Sequence, residues 1–297
     1  MKRIASVYAC FLALAVPLRA QETTDVVIEV IPVADGVHML LGQGGNIGLS
    51  TGEDGVFLVD DQFAPLTEKI LEAVRTVDEG PVRFVVNTHW HGDHTGGNEN
   101  LGKAGAVIVA HANVRARMSV DQFMEAFSRT VPASPRAALP VITFTDALTF
   151  HWNGDKIESF HVAHAHTDGD AIIHFTKANA FHMGDIYFNG MYPFIDVGSG
   201  GSVHGMLRAV EYVLERANAD TRIIPGHGPL SNRDELVAYH QMLAAVASTV
   251  ALLIEDGKSR DEVIAAAPTA PFDAEWGGGF MQPDRFTGIL YDSLSAE

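Results

Sequence analysis

Asn87-Thr-His-Trp-His-Gly-Asp-His-Thr-Gly-Gly-Asn98 places His89, His91, Asp93 and His94 within six positions, directly after the apolar run 82–86. Three imidazoles and a carboxylate this close, at H-x-H-x-D-H spacing, are better explained by metal ligation than by scaffold. Alternate residues at a strand end point the same way, so His89 and His91 can share one ion. Asp93 and His94 follow the turn at Gly92 and can reach a second ion beside it. Gly92, Gly96 and Gly97 let the backbone fold close to such a site.

Three later places end an apolar strand with a ligand-type residue. In His161-Val-Ala-His-Ala-His-Thr-Asp-Gly-Asp170, His166 is the candidate, because a sharp turn follows it before the strand at 171–175; His161 and His164 are decoys or supporting groups. In Phe181-His-Met-Gly-Asp185, Gly184 allows a bend, and Asp185 sits where a carboxylate could bridge two ions. His182 alternates away and reads as packed or exposed. In Ile223-Ile-Pro-Gly-His-Gly-Pro229, His227 lies between two glycines straight after a strand.

The rest of the chain supplies the frame. Strands are expected at 26–31, 37–41, 46–50, 56–60, 82–86, 106–110, 142–144, 148–150, 157–162, 171–175 and 222–224. Helical periodicity is expected at 67–77, 113–130, 203–215, 235–254 and 261–266. That order fits two sheets sandwiched between helices, an α/β layer arrangement. The helix at 113–130 carries Met118, Phe123, Met124 and Phe127, which read as core packing or, alternatively, as a lid over the site. Asp60 and Asp61 close an apolar strand, either to orient a metal-bound histidine or as turn and cap residues. Trp90, the Gln43-Gly-Gly45 loop, Tyr187, Tyr192 and Phe194 are candidate substrate walls or core residues.

Residues 1–20 read as an export signal: Lys2 and Arg3 lead an apolar stretch, and Ala20 offers a small residue before Gln21. The apolar run is short for a membrane span, so no stable membrane insertion is expected once it is removed, and the remainder, 21–297, reads as one domain. The expected location is periplasmic or secreted. The sole cysteine, Cys10, falls in this segment, which leaves the mature chain no disulfide and no thiolate ligand or nucleophile. The 297-residue chain has 20 Lys+Arg and 37 Asp+Glu. Removing Lys2, Arg3 and Arg19 leaves 17 − 37 = −20. Such a charge repels phosphate backbones and argues against a nucleic-acid partner; a small-molecule substrate is expected.

His89-Trp-His-Gly-Asp-His94, Ala165-His-Thr-Asp-Gly-Asp170, Gly184-Asp185 and Pro225-Gly-His-Gly-Pro229, in this order, resemble the successive motifs of the metallo-β-lactamase superfamily. The resemblance covers the chain up to the helix after His227. It implies a four-layer αβ/βα sandwich with two zinc ions at one edge: one on His89, His91 and His166, the second on Asp93, His94 and His227, with Asp185 bridging. Asp93 would also orient the nucleophile, and Asp185 and Asp93 are the expected catalytic carboxylates. Many β-lactamases of the superfamily carry cysteine or serine where Asp185 stands; an aspartate resembles glyoxalase II, the lactonases and related hydrolases. The stretch from Met183 to Asp196, with Gly198-Ser-Gly-Gly-Ser202, is similar to an exported branch of β-lactamase-like hydrolases.

A donor set of nitrogen and oxygen without sulfur suits zinc, and iron or manganese would also accept it. Two ions ~3.5–4 Å apart can share a hydroxide and clamp an attacked carbonyl. The expected function is therefore an exported dinuclear zinc hydrolase of a carbonyl-type bond, with β-lactam opening as the first specific reading and lactone, ester or thioester hydrolysis next. A periplasmic metal- or partner-binding protein on the same fold and an iron-dependent oxygenase are the rival classes. The one G-x-S-x-G match, Gly48-Leu-Ser-Thr-Gly52, falls between the strands expected at 46–50 and 56–60 and not at a strand-to-helix elbow, which argues against the simplest serine-hydrolase mechanism. No lysine or arginine occurs between Asp185 and Arg208, so that segment lacks a cationic anchor for an anionic substrate.

Overall fold

Hydrophobic alternation within single strands builds the layers. The computed structural model describes residues 25–296; the expected export signal at 1–20 lies outside them. The first sheet comprises β1 (Glu29–Ala34), β2 (Val37–Leu41), β3 (Ile47–Ser50), β4 (Val56–Val59), β5 (Val82–Asn87) and β6 (Val107–His111). After a separate hairpin, β7 (Gln122–Met124) and β8 (Arg129–Val131), its last strand is β9 (Ile142–Phe144). The β1–β4 meander is antiparallel, whereas β4, β5, β6 and β9 run parallel. The second sheet contains β10 (Ala147–Trp152), β11 (Asp155–His161), β12 (Ala171–Phe175), β13 (Ala180–His182), β14 (Arg222–Ile224) and β15 (Ser231–Asn232), with β13 and β14 parallel.

Phe57 and Val59 on β4, Val86 on β5 and Val109 on β6 meet Ile157, Ala171, Ile173 and Phe175 between the sheets. The alternate residues Val56, Leu58, Val85 and Ile108 face the other way and pack with Leu66, Ile70, Val74 and Leu101. Those four partners belong to or flank α1 (Thr67–Arg75) and α3 (Asn98–Lys103), which follows the short α2 (Gly92–Thr95). The far face of the second sheet is covered by α5 (Val203–Leu214), α6 (Arg233–Glu255) and the C-terminal helices α7 (Arg260–Ala265), α8 (Asp273–Trp276) and α9 (Pro283–Ser295), with α4 (Ala112–Met118) at the edge. The order is helices, sheet, sheet, helices, as the pattern implies. Among the described residues α6 alone is long and apolar enough to cross a membrane. Its Leu236, Tyr239, Leu243, Val246 and Val250 are buried in the helical layer, so its apolarity serves the core.

One expectation is corrected. Residues 113–130 are not a single helix: α4 stops at Met118, and the chain turns through Ser119 into the β7–β8 hairpin, closed at Ser128 in the left-handed region (φ 47°). Met118 and Met124 are buried, but Phe123 and Phe127 are exposed. The apolar residues therefore do not form one buried stripe, and no tertiary surface is available to hold a continuous helix. The C-terminal helices α8 and α9 went unread in the sequence.

Candidate metal centre

All of the candidate ligands sit at one edge of the sandwich, beyond the C-terminal ends of β4, β5, β13 and β14 and in the loop before β12. Open parallel strands leave their crevice at that edge, where loop residues converge. His89, His91, His166 and Asp185 form one group whose donor atoms all lie within 4.8 Å of one another, and Asp93, His94 and His227 form a second. Asp185 stands between them. Its Oδ2 lies 3.8 Å from His89 Nε2 and 3.7 Å from His166 Nε2, while Oδ1 lies 3.0 Å from His94 Nε2 and 3.4 Å from His227 Nε2. Asp93 Oδ2 approaches His227 Nε2 at 3.3 Å and His94 Nε2 at 3.7 Å. The seven sequence-derived candidates are thus brought together without exception.

The outer nitrogens reveal what the inner ones can do. Asp60, left-handed at φ 64°, is fully buried, accepts the Thr88 amide (2.8 Å) and hydroxyl (2.7 Å), and pairs with His94 Nδ1 at 2.7 Å. An ionised carboxylate only accepts, so Nδ1 of His94 carries the proton and Nε2 points inward. With the Thr88 hydroxyl donating to Asp60, its lone pair accepts from His89 Nδ1 at 3.0 Å. His166 Nδ1 donates to the Phe194 carbonyl at 2.8 Å, and His91 Nε2 donates to Asp196 at 2.9 Å. His91 Nδ1 and His166 Nε2 then face each other across 3.0 Å with a lone pair each, a contact that is repulsive unless a cation lies between them. His89 Nε2, His94 Nε2 and Asp185 Oδ1 are buried without any hydrogen-bond partner. Inward lone pairs fixed by outward hydrogen bonds are what a metal-binding imidazole requires, so these residues fit a pair of metal ions.

Charge tells the same story. Burial, and then His94, push His89 well below the ordinary histidine range, and burial brings His166 down to about 4. Burial opposes a charge on His94 and His227, yet Asp185 and the neighbouring carboxylates overcome it, raising His94 well above its usual value and His227 to about 9. Asp185 and Asp93 are held below the carboxylate range, against burial, by His94 and His227. Without metal, protons on two histidines take the place of a cation. Metal must displace them, so metal affinity is expected to fall as the pH drops below about 9, where His227 gains its proton, by about tenfold per pH unit for each displaced proton. Chelator competition from pH 6 to 9 measures that slope; a flat profile would contradict the assignment.

Two glycines make the geometry possible. A Cβ on Gly226 would lie 2.1 Å from Asp185 Oδ1 and 2.5 Å from the Gly184 carbonyl carbon, and one on Gly45 would lie 2.1 Å from His94 Cε1. Asn46 ties these loops together: its side chain donates to the carbonyls of Pro225 (3.0 Å) and Gly228 (2.8 Å), on both sides of His227.

Of the two aspartates closing β4, Asp60 orients a ligand and Asp61 accepts the Gly97 amide at 2.8 Å, so both roles weighed from the sequence occur. His161 stacks on His111 at 3.8 Å, His164 bonds the Gly200 carbonyl, and His182 is packed, its Nε2 on the Asn46 carbonyl; none joins the centre. Trp90, Tyr187 and Tyr192 are core residues rather than walls; the Tyr187 hydroxyl meets Ser231 and the Tyr192 hydroxyl Asp273. Gln43 and Phe194 do line the cleft above the centre, about 450 Å³ in volume, with Phe63, Met124, Phe127, Arg129 and Phe280. Met124 and Phe127 had been weighed as part of a lid over the site, whereas Asp196, Asn46, Phe63, Arg129 and Phe280 were missed. Only the sequence Gly277-Gly-Gly-Phe280, a large aromatic after a flexible run, gave any signal.

The fold is shared with solved proteins. A metallo-β-lactamase from Pontibacter korlensis superposes with a TM-score of 0.60 at 19% identity, covering 73% of this chain and 99% of that one. DIM-1 metallo-β-lactamase gives 0.57 at 19%, covering 74% and 99%. The stereoselective inverting sec-alkylsulfatase Pisa1 from Pseudomonas sp. gives 0.66 at 16%, covering 89% of this chain but 50% of its own. At these identities the likeness is one of fold. The family model described as the metallo-β-lactamase superfamily matches residues 41–236, a span running from β2 past every candidate ligand, and on that match the chain belongs to the metallo-β-lactamase superfamily.

Proposed function

We propose that this protein is an exported dinuclear zinc hydrolase that cleaves a carbonyl-type bond, with β-lactam opening as the first substrate class. One observation carries this reading: two adjoining donor groups, with Asp185 between them, form the floor of an open cleft with apolar walls. Bound there, zinc supplies a water of lowered pKa and a Lewis acid for the carbonyl oxygen. The chain does the positioning. Asp93, partly exposed at the cleft side, orients the attacking water and takes up its proton. Phe63, Phe194 and Phe280 exclude bulk water from the apolar part of the substrate. Thr88 and Asp60 keep His89 and His94 in the tautomers that leave their inner nitrogens free.

Lactone or ester hydrolysis is the second reading, favoured by the carboxylate at position 185 and by the apolar walls. The zinc-loaded protein is to be tested on a chromogenic cephalosporin, an acyl-homoserine lactone, a nitrophenyl ester, a thioester and a secondary alkyl sulfate. At least one carbonyl substrate is expected to reach kcat/KM on the order of 10⁴ M⁻¹s⁻¹. Full metal content with no turnover of any would refute the hydrolase and leave a metal-binding protein. Export is checked by N-terminal sequencing of the processed protein, expected to begin at Gln21.

A further inference from the structure

We propose that Arg129 reads an anion, so that the substrate of this centre is a carbonyl compound with an apolar body and a separate negative group. The inference rests on the hydrolase reading and adds the chemistry of the substrate. Arg129 leads the return strand of the β7–β8 hairpin and lines the cleft together with Met124 and Phe127 from the same hairpin. Among the described residues lining the cleft it is the one lysine or arginine.

Other arginines of this face are engaged. Arg117 makes a two-pronged pair with Asp168, Arg260 one with Asp292, and Arg285 donates to the Ala126 carbonyl at 2.6 Å. The Arg129 guanidinium has no such partner among the described residues. Arg285 also lies over the Phe127 ring, 4.6 Å from its centroid, so the hairpin turn is pinned from α9 and Arg129 is presented from a held position.

The two carboxylates of the same cleft, Asp93 and Asp185, face His94 and His227, so neither neutralises Arg129. A guanidinium offers a planar fork of donors suited to carboxylate, sulfonate or sulfate oxygens. The neighbouring Phe63, Phe194 and Phe280 give the body of such a ligand an apolar surface. The substrate it fits carries its carbonyl to the floor and its anion to the hairpin.

A matched pair of 4-nitrophenyl esters, one with an acyl chain ending in a carboxylate and the other in its methyl ester, tests this on the zinc-loaded protein. The acid is expected to be preferred in kcat/KM by about tenfold in 50 mM salt, less at 1 M. Arg129→Ala is expected to erase the preference, Arg129→Glu to invert it, and Arg129→Lys to restore part of it. An unchanged acid-to-ester ratio across these variants overturns the proposal. Calorimetric titration with 4-phenylbutane-1-sulfonate against 4-phenylbutan-1-ol reads the same residue without turnover. Arg129→Ala should weaken the sulfonate relative to the alcohol by about tenfold, and an unaltered ratio again overturns the idea. Arg129-dependent sulfonate binding in a protein that cleaves no ester would strike the hydrolase reading and leave the anion site standing.

Discussion

Asp185→Asn is expected to empty both halves of the centre at once. The substitution keeps the shape of the side chain and removes one charge, yet among the described residues that charge is the only one within 4 Å of His89, His94, His166 and His227 together. Loss of a group that merely supports a ligand already lowers metal affinity by about 10–100-fold. Loss of the shared carboxylate should exceed the upper end of that range for both ions and lower kcat/KM by more than about a hundredfold. Elemental analysis after dialysis against limiting zinc provides the readout. If the variant retains the wild-type stoichiometry, Asp185 is not a ligand. His89→Ala touches only the first group, so it should lower metal content less than Asp185→Asn does.

Asp60→Ala is expected to act on the metal-free fold as well as on the centre. It strips one acceptor from three donors, the Thr88 amide, the Thr88 hydroxyl and His94 Nδ1, all buried. Breaking a buried ion pair or network by removing one partner costs about 3–5 kcal/mol. The backbone adds to this, because φ of 64° suits aspartate, asparagine or glycine better than alanine. Asp60→Gly should therefore be less destabilised than Asp60→Ala by roughly 1 kcal/mol, while both lose the carboxylate that fixes the His94 tautomer. Urea unfolding of the chelated proteins separates the two contributions. Equal midpoints for alanine and glycine would remove the backbone part of the argument.

The ligands were legible because their signal is local. His89, His91, Asp93 and His94 lie in one turn-forming stretch, and His166, Asp185 and His227 each follow an apolar strand. What supports them was not, because support is a matter of distance in space. Asp196 closes a quoted stretch without any sign of its role, which shows only where its carboxylate meets His91, and Asn46 looks like any loop asparagine until it is seen clasping both sides of His227. Strands β2, β9 and β12 agree with the sequence reading to the residue, since their flanking turns are sharp. The 113–130 segment misled because Met118, Phe123, Met124 and Phe127 are spaced as a helix would space them, whereas Met118 and Met124 are buried and Phe123 and Phe127 are exposed. The cationic group absent from the segment after Asp185 enters from that misread hairpin. Substrate-contacting residues here are chosen by a loop's path, and hydrophobic period carries no record of it.

The position of Asp185 between two groups drawn from both sheets also sets an order of events. His89, His91, Asp93 and His94 follow β5 of the first sheet, while His166, Asp185 and His227 flank strands of the second. Neither half alone holds a full donor set, so tight metal uptake must come after the long-range docking of sheet on sheet, the slowest kind of contact for a chain to find. The ions then act as a clasp across that seam, and their binding energy is added to the folded state alone. Metal retention thereby reports that the two halves have met correctly, and chelation should loosen the seam before it loosens either sheet.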